Sequence, residues 1–282
     1  MPLIAYVTSF NLVLGWKPVE LVACLLLAGL LLIVIKPRTT RQTVYLVCAL
    51  LALWLALASP ISVLGDHYLF TAAVIQLLLL LLVVPVCLLL ALPVDALYRT
   101  ISGNRTLSTL EHVLSRPLVA WFVSMLIVCG RFLPPIYETA SQNEILLFAV
   151  NLLFLAGAFI FWWPVFAPLK LGRISPIRGM IYLFLASQAV SILGILLAMT
   201  LKSSYTVYQQ PNDVLGILSQ LRSDLQLSAT ADLEIGGVTL FGVGGMAILC
   251  FIIPEFIRWY RGQEKEALQD IEKQIAGSGG QA

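Results

Sequence analysis

The chain has 282 residues, of which 60% are hydrophobic and only 11% charged, and its formal net charge is +2. Soluble globular domains carry about 25% charged residues, so this composition excludes a soluble domain and indicates an integral membrane protein. The small net charge gives no reason to expect nucleic acid as a partner.

Seven apolar stretches are long enough to cross the hydrocarbon core of a bilayer as helices, which takes roughly 20 residues each. We therefore predict an all-α bundle of seven transmembrane helices within residues 1–258, followed by a tail over residues 259–282. The first stretch lacks the basic start of a cleaved signal peptide, so we expect it to stay in the membrane. In chain order, the predicted spans cover residues 19–35, 43–64, 68–92, 118–133, 145–166, 179–201 and 235–257.

The distribution of lysine and arginine predicts the orientation of the bundle. Basic residues concentrate in the short cytoplasmic loops of membrane proteins. Of the 17 basic residues, only Lys17, Arg131, Lys202 and Arg222 fall on the side of the amino terminus. We therefore predict an outer amino terminus and a cytoplasmic tail, in a multi-pass protein of the bacterial cytoplasmic (inner) membrane. The other thirteen are Lys36, Arg38, Arg41, Arg99, Arg105, Arg116, Lys170, Arg173, Arg178, Arg258, Arg261, Lys265 and Lys273.

Two segments outside the spans have apolar residues at helical spacing. Residues 212–227 contain Val214, Leu218, Leu221 and Leu225, which predicts either an interfacial helix on the outer surface or a loop packed on the bundle. In the tail, Leu268, Ile271 and Ile275 share one helical face, so we expect a helix that extends the last span. Both segments are candidate contacts for partners.

The chemistry available within the spans is limited. The only histidines, His67 and His112, lie outside all seven spans, which excludes a haem held by two histidines and a histidine-rich copper or zinc site. The central parts of the spans contain no ionisable residue, so proton pumping and transport of charged substrates lack their usual carriers. We predict no enzymatic activity. The five cysteines are scattered singly as small apolar residues: Cys24, Cys48, Cys87, Cys129 and Cys250.

A few polar residues do occur within the spans. Such groups commonly form hydrogen bonds between neighbouring helices in a membrane. We therefore predict interhelical contacts for them, in preference to a ligand site. They are Gln76, Asn151, Ser187, Gln188 and Ser191.

Four motifs occur in register along nearly the whole chain, and together they resemble the CtaG-type assembly factors of cytochrome c oxidase. The resemblance implies a seven-span fold and a role with this oxidase. The motifs are Ser59-Pro60 followed by Leu64-Gly65-Asp66, then Pro134-x-x-Tyr137, Phe161-Trp162-Trp163-Pro164-Val165, and Asp232-x-x-x-Gly236-Gly237.

The chain departs from this family at every histidine of the family pattern. The family's third-span motif, His-Met-x-Gln-His, reads Ala73-Val74-Ile75-Gln76-Leu77 here. The histidine before the proline of the second motif is replaced by Phe132, and the histidine pair of the fifth span falls on Leu147 and Asn151. The retained family residues are Gln76, Pro134, Tyr137, Trp162, Trp163, Pro164, Asp232, Gly236 and Gly237.

In the predicted topology, all of these histidine positions lie near the outer face of the membrane. The resemblance implies a metal site there, on the side where the oxidase acquires its outer copper. Alanine, leucine and phenylalanine cannot coordinate metal, so we predict a lost metal site and no cofactor. Met125 and Cys129 lie one helical turn apart and offer sulfur ligands suited to Cu(I), although core packing is the favoured prediction for both.

Three functions follow from these observations. The favoured one is a structural or accessory subunit of a respiratory membrane complex, with a heme-copper cytochrome c oxidase as host and with membrane subunits and lipids as partners. The second is a transient oxidase assembly or copper-delivery factor that uses Met125 or Cys129. The third, a transporter of a neutral solute, is weakened by the lack of an internal repeat.

Overall fold

The computed structural model describes residues 18–35, 37, 39–93, 109, 111–112, 115–167, 173–199, 205–209 and 227–279. Throughout these ranges the regular elements are helices, with no strand. The predicted interfacial segment 212–227 lies almost entirely outside them. The helices are α1 (Pro18–Val34), α2 (Thr40–Leu57), α3 (Pro60–His67), α4 (Phe70–Ala91), α5 (Pro117–Arg131), α6 (Pro134–Ser141), α7 (Glu144–Phe166), α8 (Pro176–Met199), α9 (Thr206–Gln209), α10 (Ala229–Thr239, then the π turn Leu240–Gly244 and Gly245–Cys250) and α11 (Ile252–Gly279).

Several of these helices are long and apolar enough to cross a membrane. Within the described ranges there are five: α2, α4, α7, α8 and the continuous path from α10 into α11. The pair α5 and α6 is bent by 61° and adds a sixth if it forms one span. The apolar part of α1 is shorter, at Leu21–Ile33. The chain is therefore a multi-pass membrane protein.

The predicted second span differs from the structure at its carboxyl end. The prediction ran to residue 64, whereas α2 ends at Leu57 and a separate helix, α3, begins at Pro60. The Ser59 hydroxyl accepts a hydrogen bond from the Ile61 N–H at 3.1 Å, and proline is well tolerated in the first turn of a helix. Ser59 and Pro60 thus start a new helix, although the surrounding sequence remains apolar.

Helix α4 lies at the centre of the bundle. Of the residues in its most apolar stretch, 67% are buried, against 33–44% in the other four long helices. It contacts α2, α7 and α10, and Val74, Leu80 and Val84 are fully buried. A helix that is hydrophobic on all sides is expected in such a position.

A π turn at Leu79–Val83 interrupts α4, and the family motif of α7 packs against it. In a regular helix the Leu81 carbonyl would accept from residue 85, which is a proline without an N–H. The indole Nε1 of Trp162 donates to this carbonyl at 2.6 Å. Beside it, the Tyr182 hydroxyl donates to the Phe161 carbonyl at 2.7 Å. The motif therefore joins α4, α7 and α8.

Glycines allow α10 to approach α8 and α4 closely. A Cβ atom on Gly237 would lie 2.6 Å from the backbone nitrogen of Ala198 in α8, and one on Gly194 would lie 2.5 Å from that of Phe241. A Cβ on Gly236 would overlap the ring of Phe70. Small residues at helix interfaces permit this packing in membranes, which explains the role of the Gly236-Gly237 pair here.

At the opposite end of these helices, the buried carboxylate of Glu255 in α11 binds two arginines. Its oxygens lie 3.2 Å from Arg173 and 2.7 Å from Arg258. Arg258 also donates to the Ile174 carbonyl. A buried carboxylate requires such pairing, and these contacts fix the start of α8 against α11. As predicted, α11 extends the last span into the tail.

Candidate functional site

A buried polar cluster occupies the end of the bundle where α5 ends and where α4, α7 and α10 begin. We call it the Arg131 cluster and define it as Arg131, Tyr137, Asn151, Tyr205 and Tyr208. Arg131 is the last residue of α5 and is only 3% exposed. Its Nε and Nη2 donate to Oδ1 of Asn151 in α7 at 3.2 and 3.1 Å. The guanidinium therefore joins the end of α5 to α7.

Tyr137 covers the other side of this guanidinium. The helix α6 starts at Pro134, and it places the Tyr137 ring centroid 4.7 Å from the guanidinium carbon of Arg131. A cation over an aromatic face is attracted by the ring quadrupole. The Tyr137 hydroxyl donates to the Asp66 carbonyl at 3.1 Å. The retained Pro134-x-x-Tyr137 motif thus fixes the arginine and connects it to α3.

Two tyrosines from the connection between α8 and α10 complete the cluster. Tyr205 and Tyr208 are both buried. The Tyr208 hydroxyl donates to the Gly65 carbonyl at 2.6 Å and contacts the Tyr137 hydroxyl, while Tyr205 donates to the Phe132 carbonyl. Like any phenol at neutral pH, both are protonated and able to donate, and burial raises the pKa of each further above the usual range.

Asp232 in α10 caps the start of α4 next to this cluster. Its carboxylate accepts from the backbone N–H of Phe70 at 2.6 Å and of Thr71 at 3.2 Å. The Thr71 hydroxyl donates to the Asp232 carbonyl at 3.0 Å. The N-cap residue of α4 is Leu69, whose side chain makes no capping hydrogen bond. A carboxylate at this position satisfies free N–H groups and complements the helix dipole.

Five residues of this chain stand where the family pattern has histidine, and all five are buried. They are Ala73, Leu77, Phe132, Leu147 and Asn151. One of them, Asn151, belongs to the Arg131 cluster, and Phe132 contacts the cluster through its carbonyl. Ala73 lies against Gly65, where a Cβ would be 2.7 Å from the Ala73 nitrogen. Leu77 belongs to the apolar core.

Gln76, the retained polar residue of the third-span motif, is 1% exposed. Neither its amide nitrogen nor its amide oxygen has a hydrogen-bond partner in the described part of the chain. The predicted interhelical contact is therefore not observed for Gln76. It is observed for Asn151 and for Ser191, whose hydroxyl donates to the Phe241 carbonyl of α10 at 3.4 Å.

The described side chains offer few metal ligands. Among them, no three histidine, cysteine, aspartate or glutamate residues lie close enough together to hold one ion. Met125 is buried and Cys129 partly buried in α5, so both pack within the bundle. The positive charge of Arg131 is two residues beyond Cys129. The region can thus supply hydrogen bonds and a fixed cation.

Sequence reasoning missed the central residue of this site. The sequence predicts Arg131 as one of the few charges on the outer side and gives no role to Tyr205 or Tyr208. The available signal is local: Arg131 directly precedes Phe132, which stands at a histidine position of the family pattern. A lone charge at the end of an apolar span, followed by the family motif that starts at Pro134, is a pattern that can indicate burial.

The family model described as cytochrome c oxidase caa3 assembly factor (Caa3_CtaG) matches residues 22–262 of this chain. No curated protein and no solved structure matches it significantly. The match covers most of the chain, including α2 to α10 and every residue of the Arg131 cluster. The chain therefore belongs to the Caa3_CtaG family of cytochrome c oxidase assembly factors.

Proposed function

We propose that this chain is a metal-free member of its family that serves as a structural or accessory subunit of a heme-copper cytochrome c oxidase. It carries out no enzymatic reaction and holds no cofactor. We place it in the bacterial cytoplasmic membrane with seven spans, an outer amino terminus and a cytoplasmic tail. The family supplies the link to the oxidase, and the distribution of basic residues supports the orientation.

The observation that carries the proposal is the hydrogen bond between Arg131 and Asn151. Asn151 occupies one of the family's histidine positions, and the guanidinium lies within 3.2 Å of it. Two unit charges 4 Å apart repel each other by about 4 kcal/mol at an effective dielectric constant of about 20. A copper ion bound beside this residue would face that repulsion, so the arginine disfavours metal where the family pattern provides ligands.

The same contacts support a structural role. Buried hydrogen bonds of Arg131, Trp162 and Asp232 join α5 to α7, α7 to α4, and α4 to α10. Fully paired buried polar groups make a bundle rigid and specify one arrangement. A rigid scaffold without a metal site suits a subunit that remains bound to its partners.

The test is purification of the tagged native protein in gentle detergent, with partners and their stoichiometry determined by mass spectrometry. We expect oxidase subunits in near-stoichiometric amounts and no copper above the level of a metal-free membrane protein purified in parallel. Recovery of the protein only as a free monomer would contradict the structural role. Stoichiometric copper that survives dialysis would contradict the loss of the metal site.

The second candidate is a transient assembly or copper-delivery factor. The description of the family as assembly factors favours it, and Met125 and Cys129 are the sulfur ligands it would use. It predicts that a deletion strain makes an oxidase deficient in copper and that Met125→Leu with Cys129→Ser reproduces this defect. Normal copper content in the oxidase of the deletion strain rules this candidate out.

A further inference from the structure

A groove of about 450 Å³ lies between the starts of α5 and α8, at the end of the bundle opposite the Arg131 cluster. Its volume is within the range of small-molecule sites, about 300–1,000 Å³. Most of its lining is apolar, with Arg178 as the one charged lining residue in the described part of the chain. The lining residues are Pro117, Leu118, Trp121, Phe122, Ile174, Arg178, Ile181, Tyr182 and Leu185.

The groove opens on the surface of the bundle that faces the membrane. Leu118, Phe122 and Ile181 are all more than half exposed, as expected of side chains in contact with lipid tails. Arg178 is exposed two residues into α8. Among the described residues no carboxylate pairs with it, since the ion pairs of this end join Glu255 to Arg173 and Arg258. The groove thus combines an apolar channel with a cation at its rim that no described carboxylate neutralises.

Trp121 belongs to the apolar wall of the groove. Its indole Nε1 is shielded from solvent and has no hydrogen-bond acceptor in the described structure. Because this atom is shielded, Trp121 contributes ring carbons to the wall of the groove. In addition, α5 starts here without a side-chain cap, and the dipole at the start of a helix favours an anion.

From this arrangement we propose that the groove is a binding site for one anionic phospholipid. The acyl chains lie along Leu118, Phe122 and Ile181, and the phosphate group pairs with Arg178. Basic pockets between membrane helices on the cytoplasmic side bind anionic headgroups in this way. The inference is independent of the proposed role in the oxidase.

The test uses the full-length protein, delipidated in detergent and titrated with phosphatidylglycerol, phosphatidylcholine or inorganic phosphate, with bound lipid counted by native mass spectrometry. We expect one phosphatidylglycerol to bind more tightly than phosphatidylcholine. Arg178→Gln should weaken its binding about five-fold, the effect of one basic residue near an anionic surface. Arg261→Gln is the matched control, because Arg261 is an exposed arginine of α11 outside the groove, and it should leave binding unchanged.

Leu185→Trp is a second variant that fills the groove without changing its charge, and it should also reduce the bound lipid. Equal binding of the two lipids would overturn the proposal. So would an equal loss in Arg178→Gln and Arg261→Gln, which would indicate attraction to the basic end as a whole. Displacement of phosphatidylglycerol by millimolar inorganic phosphate would show that the site recognises a free anion and not a lipid.

Discussion

The indole Nε1 of Trp162 donates a 2.6 Å hydrogen bond to the backbone carbonyl of Leu81. This carbonyl lies in the π turn of α4, four residues before a proline that cannot donate to it. Within a membrane, a backbone acceptor freed by proline must find another donor. One side chain of α7 therefore stabilises the irregular part of the most buried helix.

Trp162→Phe should lower the free energy of unfolding by about 1 to 3 kcal/mol, because it leaves the Leu81 carbonyl buried without this donor. The measurement is thermal unfolding in detergent. Trp163→Phe is the matched control: Trp163 is only partly buried, and its Nε1 has no acceptor in the described structure. Equal destabilisation by the two substitutions would show that ring volume, and not the hydrogen bond, accounts for the effect.

Asp232→Asn should also destabilise the protein, by about 1 to 2 kcal/mol. The carboxylate accepts from two N–H groups of α4, whereas an amide has a single acceptor oxygen and no charge to complement the helix dipole. Thermal unfolding and protease sensitivity near residue 70 report the change.

Glu144→Gln provides the comparison for Asp232→Asn. Glu144 is an exposed acidic residue in the first turn of α7, which Asn143 already caps. Its loss should cost only a few tenths of a kcal/mol. If both substitutions have this small effect, the Asp232 carboxylate contributes little to the packing of α10 against α4.

The sequence predicts the long helices well, because each is a separate apolar run whose ends carry charge or proline. The prediction of helix ends fails at Ser59. The sequence stays apolar there, although the Ser59 hydroxyl and Pro60 start a new helix. The partners of Asp232 are even less accessible: Phe70 lies 162 residues earlier, and no local pattern reports a cap supplied by a distant helix.

The Arg131 cluster was unpredictable for a different physical reason. A single arginine at the end of an apolar span is equally consistent with a solvated loop charge and with a buried ion. Whether Arg131 is buried depends on the other residues of the cluster, which come together only in the folded bundle. They are Asn151, Tyr137, Tyr205 and Tyr208. The resemblance does predict that Asn151 and Phe132 lie near the same face, although it gives no reason to place a cation between Asn151 and Tyr137.

A double-mutant cycle on Arg131 and Asn151 measures their interaction. Asn151→Leu should destabilise the protein by about 2 to 4 kcal/mol, because it leaves the guanidinium buried without its acceptor. The double variant Arg131→Met with Asn151→Leu should be more stable than Asn151→Leu alone, since apolar replacement of a whole buried polar pair is often neutral. The expected coupling energy is about 1.5 to 3 kcal/mol. Additive effects of the two substitutions would show that the two side chains do not stabilise each other.

Gln76→Leu should have the opposite effect and raise the stability of the protein. The Gln76 amide is almost completely buried, and its nitrogen and oxygen make no hydrogen bond to the described residues. Leucine has a similar size and removes the cost of burying an unpaired amide, about 1 to 3 kcal/mol. An increase in the midpoint of thermal unfolding in detergent would confirm this expectation.

Asn151→Leu is the natural contrast to Gln76→Leu, because it also replaces a buried amide of a long helix but one that accepts from Arg131. The two substitutions should therefore shift the unfolding midpoint in opposite directions. If Gln76→Leu stabilises the purified protein yet reduces its copurification with the oxidase, the amide is retained for contact with a partner or an assembly intermediate. A loss of stability in Gln76→Leu would instead reveal a bonding partner for the amide in the membrane, such as a bound water, and would overturn the expectation.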